Sequence, residues 1–518
     1  MKTRDPIAVT SRPMTIRELL EVADGARIEL SPDAMAVIAD SRAVVESVLA
    51  SGRGAYGLNL GLGHMKNTRL PDAELAALQV AMIDGHAGAI GPSFPARVVR
   101  AAMASRVNGI ARGGAGASPA CAETYVAMLN AGVHPIVPGF GSVGASDLAQ
   151  MAAIARVAIG RGEAELDGEQ LAGADALRRA GIAPLQPRPK DGLALMSANG
   201  ISVGHGAVIV ARARHALEAA NIAAAFSLEA MSGNVSPFDP EVAAAKGVRG
   251  QAVVSAHVRD LLQGSYLHDE NAKRSIQDPL SFRVVPQVHG ALWDFIELAR
   301  NAVETELNAM TDNPLVSRKE RRLISNGNFH PMLVALAFDA LGPALAHVGQ
   351  LSDRRMNHLW AGTFGEPGDQ PADANRSVWG ASGDRRGTSL RYAGAAAAAV
   401  LRQLAGPATL DVVPLDLEIE DHATGAPLSI QRCADSLDAL EDVIAVELLL
   451  ARDILKSRDE PARLGRGASA TLRLIDAELH GLKPEAESRA FHSAVLRLMR
   501  TSLPAEAGGS SARLGWGD

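Results

Sequence analysis

Residues 204–231 read GHGAVIVARARHALEAANIAAAFSLEAM, the longest apolar stretch in the chain. Its length would suit a bilayer, but Arg212, Arg214, His215, Glu218 and Glu229 interrupt it, which argues against a lipid-facing segment. The stretch therefore predicts a buried helix in a soluble bundle. Runs of similar character predict further long helices over 287–310, 331–358, 389–404 and 436–457. Gly342-Pro343 predicts a kink within the second of these. Helices of 20–30 residues would be about 30–45 Å long at 1.5 Å per residue. They are too apolar all round to stand alone in water, so neighbouring subunits are expected to cover them and the chain is expected to be a homo-oligomer.

Composition points the same way. Hydrophobic residues make up 47% of the 518 residues but aromatics only 3%. The apolar mass is thus Ala, Leu and Val, which suits close-packed helices rather than a β-sandwich. The net charge of −7 comes without a basic block, which argues against nucleic acid as a partner. Cys121 and Cys433 are too few for a disulfide scaffold and fit a reducing cytoplasm. The opening MKTRDPIAVTSRP lacks the apolar core of a signal peptide. No HExxH or Cys/His spacing suggests a metal.

Upstream of the long runs the chain changes character. Ser31-Pro32 is a helix start, with Ser31 as N-cap and Pro32 at the first helical position. Further helices are expected over roughly 73–131, and short elements with loops over 160–190. Two Gly-rich stretches stand out, SGRGAYGLNLGLGHMKN (51–67) and VPGFGSVGASD (137–147). The expected organisation is an N-terminal helical domain, 1–202, carrying these loops, a long-helix bundle over 203–503, and a mobile tail over 504–518. Loops held on such a rigid helical frame are where a site is expected.

Eight short stretches then occur in order: YGLNLGLG (56–63), HAGAIG (86–91), GSVGASDLA (141–149), GLALMSANG (192–200), QDPLSFRVVPQVHGA (277–291), NAMTDNPLV (308–316), NGNFH (326–330) and EIEDH (418–422). Together they resemble the histidine and aromatic amino acid ammonia-lyase family across about residues 15–500. The resemblance implies an all-α fold, a homotetramer with composite active sites, and elimination of ammonia from an L-amino acid to give an α,β-unsaturated acid. It also implies a built-in electrophile, 4-methylidene-imidazol-5-one, made by cyclisation and dehydration of an Ala-Ser-Gly triplet. The substrate amine adds to this group and becomes a better leaving group.

Here the triplet is altered. The family's Gly-Ser-Val-Gly-Ala-Ser-Gly-Asp-Leu reads Gly141-Ser142-Val143-Gly144-Ala145-Ser146-Asp147-Leu148. Glycine in third place lets its nitrogen reach a carbonyl two residues back in a strained turn. Without it two routes stay open: an electrophile from Ala145, Ser146 and Asp147, or elimination without one. Ala381-Ser382-Gly383-Asp384 keeps the letters but lacks the flanking pattern, and reads as an ordinary turn.

The resemblance carries roles to individual residues. Tyr56 matches the base that removes the β-proton, for which its acidity would have to be enhanced. Arg283 matches the guanidinium fork that holds the substrate carboxylate. Asn199, Gln277 and Phe329 match pocket positions, and Asn313 a loop-former. His86 and Glu420 fall where histidine-processing members place a histidine and a glutamate, which favours histidine or a polar relative as substrate. Glu420 is also the acid that could assist leaving in the unmodified route. Leu280, Leu60, Leu62 and Glu418 depart from the family pattern. The alternatives are an aminomutase, a lyase that works without the methylidene-imidazolone on another amino acid-like substrate, and a non-catalytic amino-acid-binding homologue.

Overall fold

The computed structural model describes residues 5–270, 272, 275–363, 386–410, 413–458, 462–483, 486–508 and 514. The Ala381–Asp384 match lies outside the described residues, as does most of the segment expected to be a mobile tail. The chain forms two compact units, Met1–Ile209 with Ala299–Phe338 and Ala408–Gln431, and Val210–Leu298 with Asp339–Pro407 and Arg432–Asp518. The sequence boundary at 202/203 falls near the first passage between units. The later returns of the chain are long-range, so no local composition change marks them.

Both units are predominantly helical. All but the last residue of the opening stretch lies within a helix over Gly200–Ala230, and the other long runs form Val285–Leu307, Met332–Gly362, Arg391–Leu404 and Ala426–Lys456. The last begins ten residues before the expected 436. Pro427 sits in its first turn, where proline is tolerated, and the polar residues that follow hide the apolar period. Met332–Gly362 runs on through Pro343 as one helix.

In the first unit, Ser31 accepts the Ala34 amide and starts the helix Pro32–Ala50 as expected. Helix Ala96–Ala111 packs on Ile16–Ala23 and Pro119–Ala131. Val44, Val45, Leu58 and Val316 form a buried apolar cluster with Ala55, immediately before Tyr56. Short strands also occur here, among them a three-stranded sheet of His134–Pro135, Glu163–Leu166 and Glu169–Ala172. Strands of two to four residues carry too little alternation to be read from sequence.

In the second unit, Arg212, Arg214 and Glu229 of the opening stretch have partners, Arg214 with Glu297 at 3.2 Å. Arg212 pairs with Glu441 at 2.7 Å and Asp438 at 2.5 Å. Glu229 accepts the Gly465 amide at 2.8 Å and the Ser265 hydroxyl. Glu447 and Arg355 are both fully buried. Arg355 donates to both carboxylate oxygens, at 2.6 and 2.9 Å, and the hydroxyls of Ser227 and Ser352 donate to the same group. Such a carboxylate is stable in a core only because its lone pairs are filled. Near the chain end, Leu503–Ala507 is a helix whose Leu503, Pro504 and Ala507 are buried, so this part of the expected tail is fixed by apolar burial. The Trp293 indole donates to the Leu514 carbonyl at 2.7 Å.

Candidate active site

The Gly-rich loop before the first site residue is fixed from within. Asn59 accepts the Ala55 amide at 2.7 Å and donates to the Arg53 carbonyl at 2.8 Å, so its buried side chain closes a turn around Tyr56. The phenol oxygen of Tyr56 accepts the Gly63 amide at 3.2 Å. Tyr56 borders a pocket of about 530 Å³ together with Ala145, Asn313, Phe329 and Glu420. Its wall also contains Lys66, Ser325, His330, Asp421 and His422. Three stretches distant in sequence, near 56–67, 325–330 and 419–422, thus meet at Ala145.

The 141–147 segment is clamped on several sides. Gly144 has φ +87, and a Cβ there would come within 2.1 Å of the Thr424 hydroxyl, which donates to the Gly144 carbonyl at 2.8 Å. The Gly425 amide donates to the Val143 carbonyl at 2.9 Å. Ser146 has φ +65, a left-handed conformation costly for a residue other than glycine, and its amide donates to the Phe329 carbonyl at 3.1 Å. Asp147 is fully buried. It precedes the helix Leu148–Ala158 without capping it. Its carboxylate instead receives the Ser202 amide at 2.7 Å and the hydroxyls of Ser202 and Ser142, each at 3.0 Å. It thereby serves the N-terminus of Gly200–Ala230, where a negative charge is favoured. Burial pushes the Asp147 carboxyl above the ordinary aspartate range, and the Ser202 and Ser142 donors oppose that rise.

This arrangement can be tested against the family's electrophile. Ring closure needs the Asp147 nitrogen to attack the Ala145 carbonyl. That N–H is instead committed to the Ala198 carbonyl at 2.9 Å, and the side chain is held by three donors. A nitrogen that must turn toward Ala145 would break the first bond and drag a buried carboxylate off its helix. The residues present do not fit the group.

Glu420 lies on the pocket wall and keeps solvent-exposed surface. Burial raises its pKa, the Asp416 charge raises it further, and His86 opposes the rise. His86 ends the helix Leu75–His86, and its Nδ1 donates to the Met82 carbonyl at 2.7 Å. Nε2 is thereby left to carry the lone pair in the neutral ring. Sequence reasoning overlooked His330 and His422, although both were inside the quoted motifs. Their rings lie 5.0 Å apart. His330 Nε2 lies 3.4 Å from the His422 carbonyl and 3.3 Å from His422 Nδ1. A carbonyl only accepts, so His330 Nε2 is the donor and His422 Nδ1 receives.

The remaining candidates lie off this wall. Asn199 is buried beneath the site, where its amide donates to Glu306 at 2.6 Å. Burial raises the Glu306 pKa, and the nearby Asp147 charge adds to this. Gln277 and Arg283 belong to the second unit, where Arg283 Nη1 donates to Gln277 Oε1 at 2.9 Å. Arg283 Nε has no hydrogen-bond partner among the described residues.

The family model for aromatic amino acid lyases matches residues 14–477. The chain belongs to the aromatic amino acid lyase family. A histidine ammonia-lyase from Anaeromyxobacter sp. (strain K) is 35% identical over 503 residues, covering 94% of this chain and 96% of that one. Among solved structures, this lyase resembles the ergothioneine-degrading ergothionase of Treponema denticola in complex with desmethyl-ergothioneine sulfonic acid. The TM-score is 0.89 at 26% identity, over 96% of this chain and 99% of that one. It also resembles a tyrosine aminomutase from Streptomyces globisporus, with a TM-score of 0.85 at 27% identity over 96% and 97% of the two chains. The all-α lyase fold and the carbon–nitrogen lyase class follow from these matches.

Proposed function

We propose that this lyase eliminates the α-amine from an imidazole-bearing amino acid-like substrate without the methylidene-imidazolone electrophile, and that the leaving group is a tertiary amine. The supporting observation is Asp147, whose amide is bonded to Ala198 and whose carboxylate anchors Ser202. The electrophile works by taking up the lone pair of a primary amine. A trialkylammonium has no lone pair to offer, and it departs as a neutral amine without activation. Loss of the triplet glycine and a quaternary substrate are thus chemically matched. Ergothioneine, the betaine named with the Treponema structure, is such a compound.

In this reading Tyr56, as phenolate, takes the β-proton while the Cα–N bond breaks and the Cα=Cβ bond forms. Glu420, with its raised pKa, lends a proton to the imidazole and recovers it afterwards. A protonated imidazole withdraws electrons from the adjacent β-carbon and acidifies its hydrogen. Phe329 offers a ring face to the ammonium group. The family resemblance gives Arg283, which donates to Gln277 at 2.9 Å in the second unit, the role of carboxylate anchor, and Asn199 supports the first unit's site through Glu306.

The test is direct. Purified protein is incubated with L-histidine and, separately, with ergothioneine, and amine release is followed by NMR. Trimethylamine from the betaine with no ammonia from histidine is expected. Ammonia from histidine would refute the reading. The 35% identity to histidine ammonia-lyases favours that second outcome as the alternative, with histidine as substrate. We also propose a homotetramer, supported by exposed apolar side chains such as Leu333, Leu336, Tyr392 and Val400 on helices. Light scattering on the purified protein tests it, and a monomer would refute it.

A further inference from the structure

The residues that face Glu420 from across the Gly-rich loop carry an inference of their own. Asp416 accepts two bonds from one residue: the His64 amide reaches Oδ2 at 3.0 Å, and His64 Nδ1 reaches Oδ1 at 2.6 Å. The neighbouring Gly63 has φ +52, and a Cβ there would fall 1.8 Å from Asp416 Oδ2. Only glycine at 63 admits the carboxylate so close. The Gly63 amide also holds the Tyr56 oxygen. One dipeptide, Gly63-His64, therefore touches both Tyr56 and Asp416.

Asp416 opens a tight hairpin. The Leu415 amide donates to the Glu420 carbonyl at 2.8 Å and the Glu420 amide to the Leu415 carbonyl at 3.2 Å. Between them Asp416, Leu417 and Glu418 have φ of 47, 54 and 65. Three successive non-glycine residues in the left-handed region are strained, and such a turn persists only where its surroundings hold it. Within the turn the Ile419 amide donates to the Asp416 carbonyl at 3.1 Å, and from outside it His64 holds the Asp416 side chain.

We propose that His64 and Asp416 form a latch that holds the strained 415–420 hairpin against the Gly-rich loop and so positions Glu420 opposite Tyr56 for proton transfer. The proposal rests on the function proposed above, in which Glu420 acts on the substrate. His64 and Asp416 are positioning residues: neither needs to touch substrate. Asp416 has a second effect, because its negative charge discourages ionisation of Glu420. The charged and titratable groups around the latch are Tyr56, His64 and Lys66 on the Gly-rich loop, His86 at its helix end, His330, and Glu418, Glu420, Asp421 and His422 on the hairpin side.

Two variants separate holding from charge. His64→Ala removes the side-chain half of the latch and leaves the Asp416 charge in place. It is expected to lower kcat at least tenfold with KM little changed, without moving the alkaline limb of the pH–rate profile downward. Asp416→Asn keeps an acceptor and a residue that tolerates a left-handed backbone, but removes the charge. It is expected to move the alkaline limb, where Glu420 loses its proton, to lower pH, because the Asp416 charge no longer opposes ionisation of Glu420. Hydrogen exchange across 415–420 gives a readout independent of turnover, and His64→Ala should accelerate it. If both variants keep wild-type kcat and pH limb, or exchange at 415–420 is unchanged in His64→Ala, the latch is rejected. Glu420→Gln distinguishes the underlying reading: wild-type turnover in that variant, with the exchange change present, would overturn the catalytic role of Glu420 and the catalytic meaning of the latch, while leaving the structural contact standing.

Discussion

Replacing Asp147 by asparagine probes the residue on which the proposed chemistry turns and which anchors the start of Gly200–Ala230. Asp147 receives one amide and two hydroxyls in a fully buried site. Asparagine keeps one acceptor oxygen and turns an NH2 toward a donor. The oxygen can stay on the Ser202 amide and the Ser142 hydroxyl still has the Ser146 carbonyl, but the Ser202 hydroxyl loses its acceptor. One buried donor left without an acceptor costs about 1–3 kcal/mol. Removing a desolvated charge offsets part of this at neutral pH. A net loss of about 2 kcal/mol, or roughly 30-fold in the unfolding equilibrium, is expected.

The pH dependence is the sharper signature. The folded-state pKa of Asp147 is raised, so the folded state binds its proton more tightly than the unfolded chain does. The stability this contributes is fully present below the unfolded pKa, about 3.9, and is lost as pH rises through the folded value. The asparagine variant does not titrate and has no such contribution. The gap between wild type and variant should therefore be widest at the acid end and narrow as pH rises. Urea unfolding at a series of pH values, followed by tryptophan fluorescence, measures it. A gap that widens with rising pH, or no gap at any pH, would refute the reasoning.

Other outcomes follow from the same structure. The intact mass, with peptide mapping over 141–150, should show no deficit of about 36 Da, the two waters lost in ring formation; a deficit localised to Ala145–Asp147 would overturn the proposed route. Tyr56→Phe should lower kcat by roughly 10²–10⁴-fold if the phenol oxygen is the base, while far-UV circular dichroism stays that of the wild type. Arg355→Met should destabilise the chain by roughly 3–5 kcal/mol, because Glu447 is left buried and charged; a calorimetric scan matching the wild type would contradict that account.

The helices were legible because their signals are local. Ser31-Pro32 marks a start, and the Ala, Leu and Val runs keep a helical period whether or not the tertiary contacts are known. The eight motif stretches carried the family, and with it Tyr56, Glu420 and Phe329, which line one pocket with Ala145. The missing glycine was also plain in the sequence. Its structural meaning was not, because Asp147 finds its partners at Ser142, Ala198 and Ser202, and only the fold brings the last two near. His64 and Asp416 are 352 residues apart, so nothing local pairs them. The early start of Ala426–Lys456 was hidden for a different reason: polar residues within its first turns blur the apolar period.

On the proposed reading, the position of Asp147 also limits how such a chain could acquire the electrophile. A single substitution, Asp147→Gly, would restore the letters Ala-Ser-Gly. It would also strip the carboxylate from Ser202 and Ser142 and place Leu148 where the family has its aspartate. Ring formation and helix anchoring would then compete for one residue. Recovering both takes an inserted codon between Ser146 and Asp147, a rarer event than a base change, and the insertion must pass through a segment already clamped by Phe329, Thr424 and Gly425. On that reading the absence of one glycine works as a ratchet, easy to pass in one direction and hard to reverse.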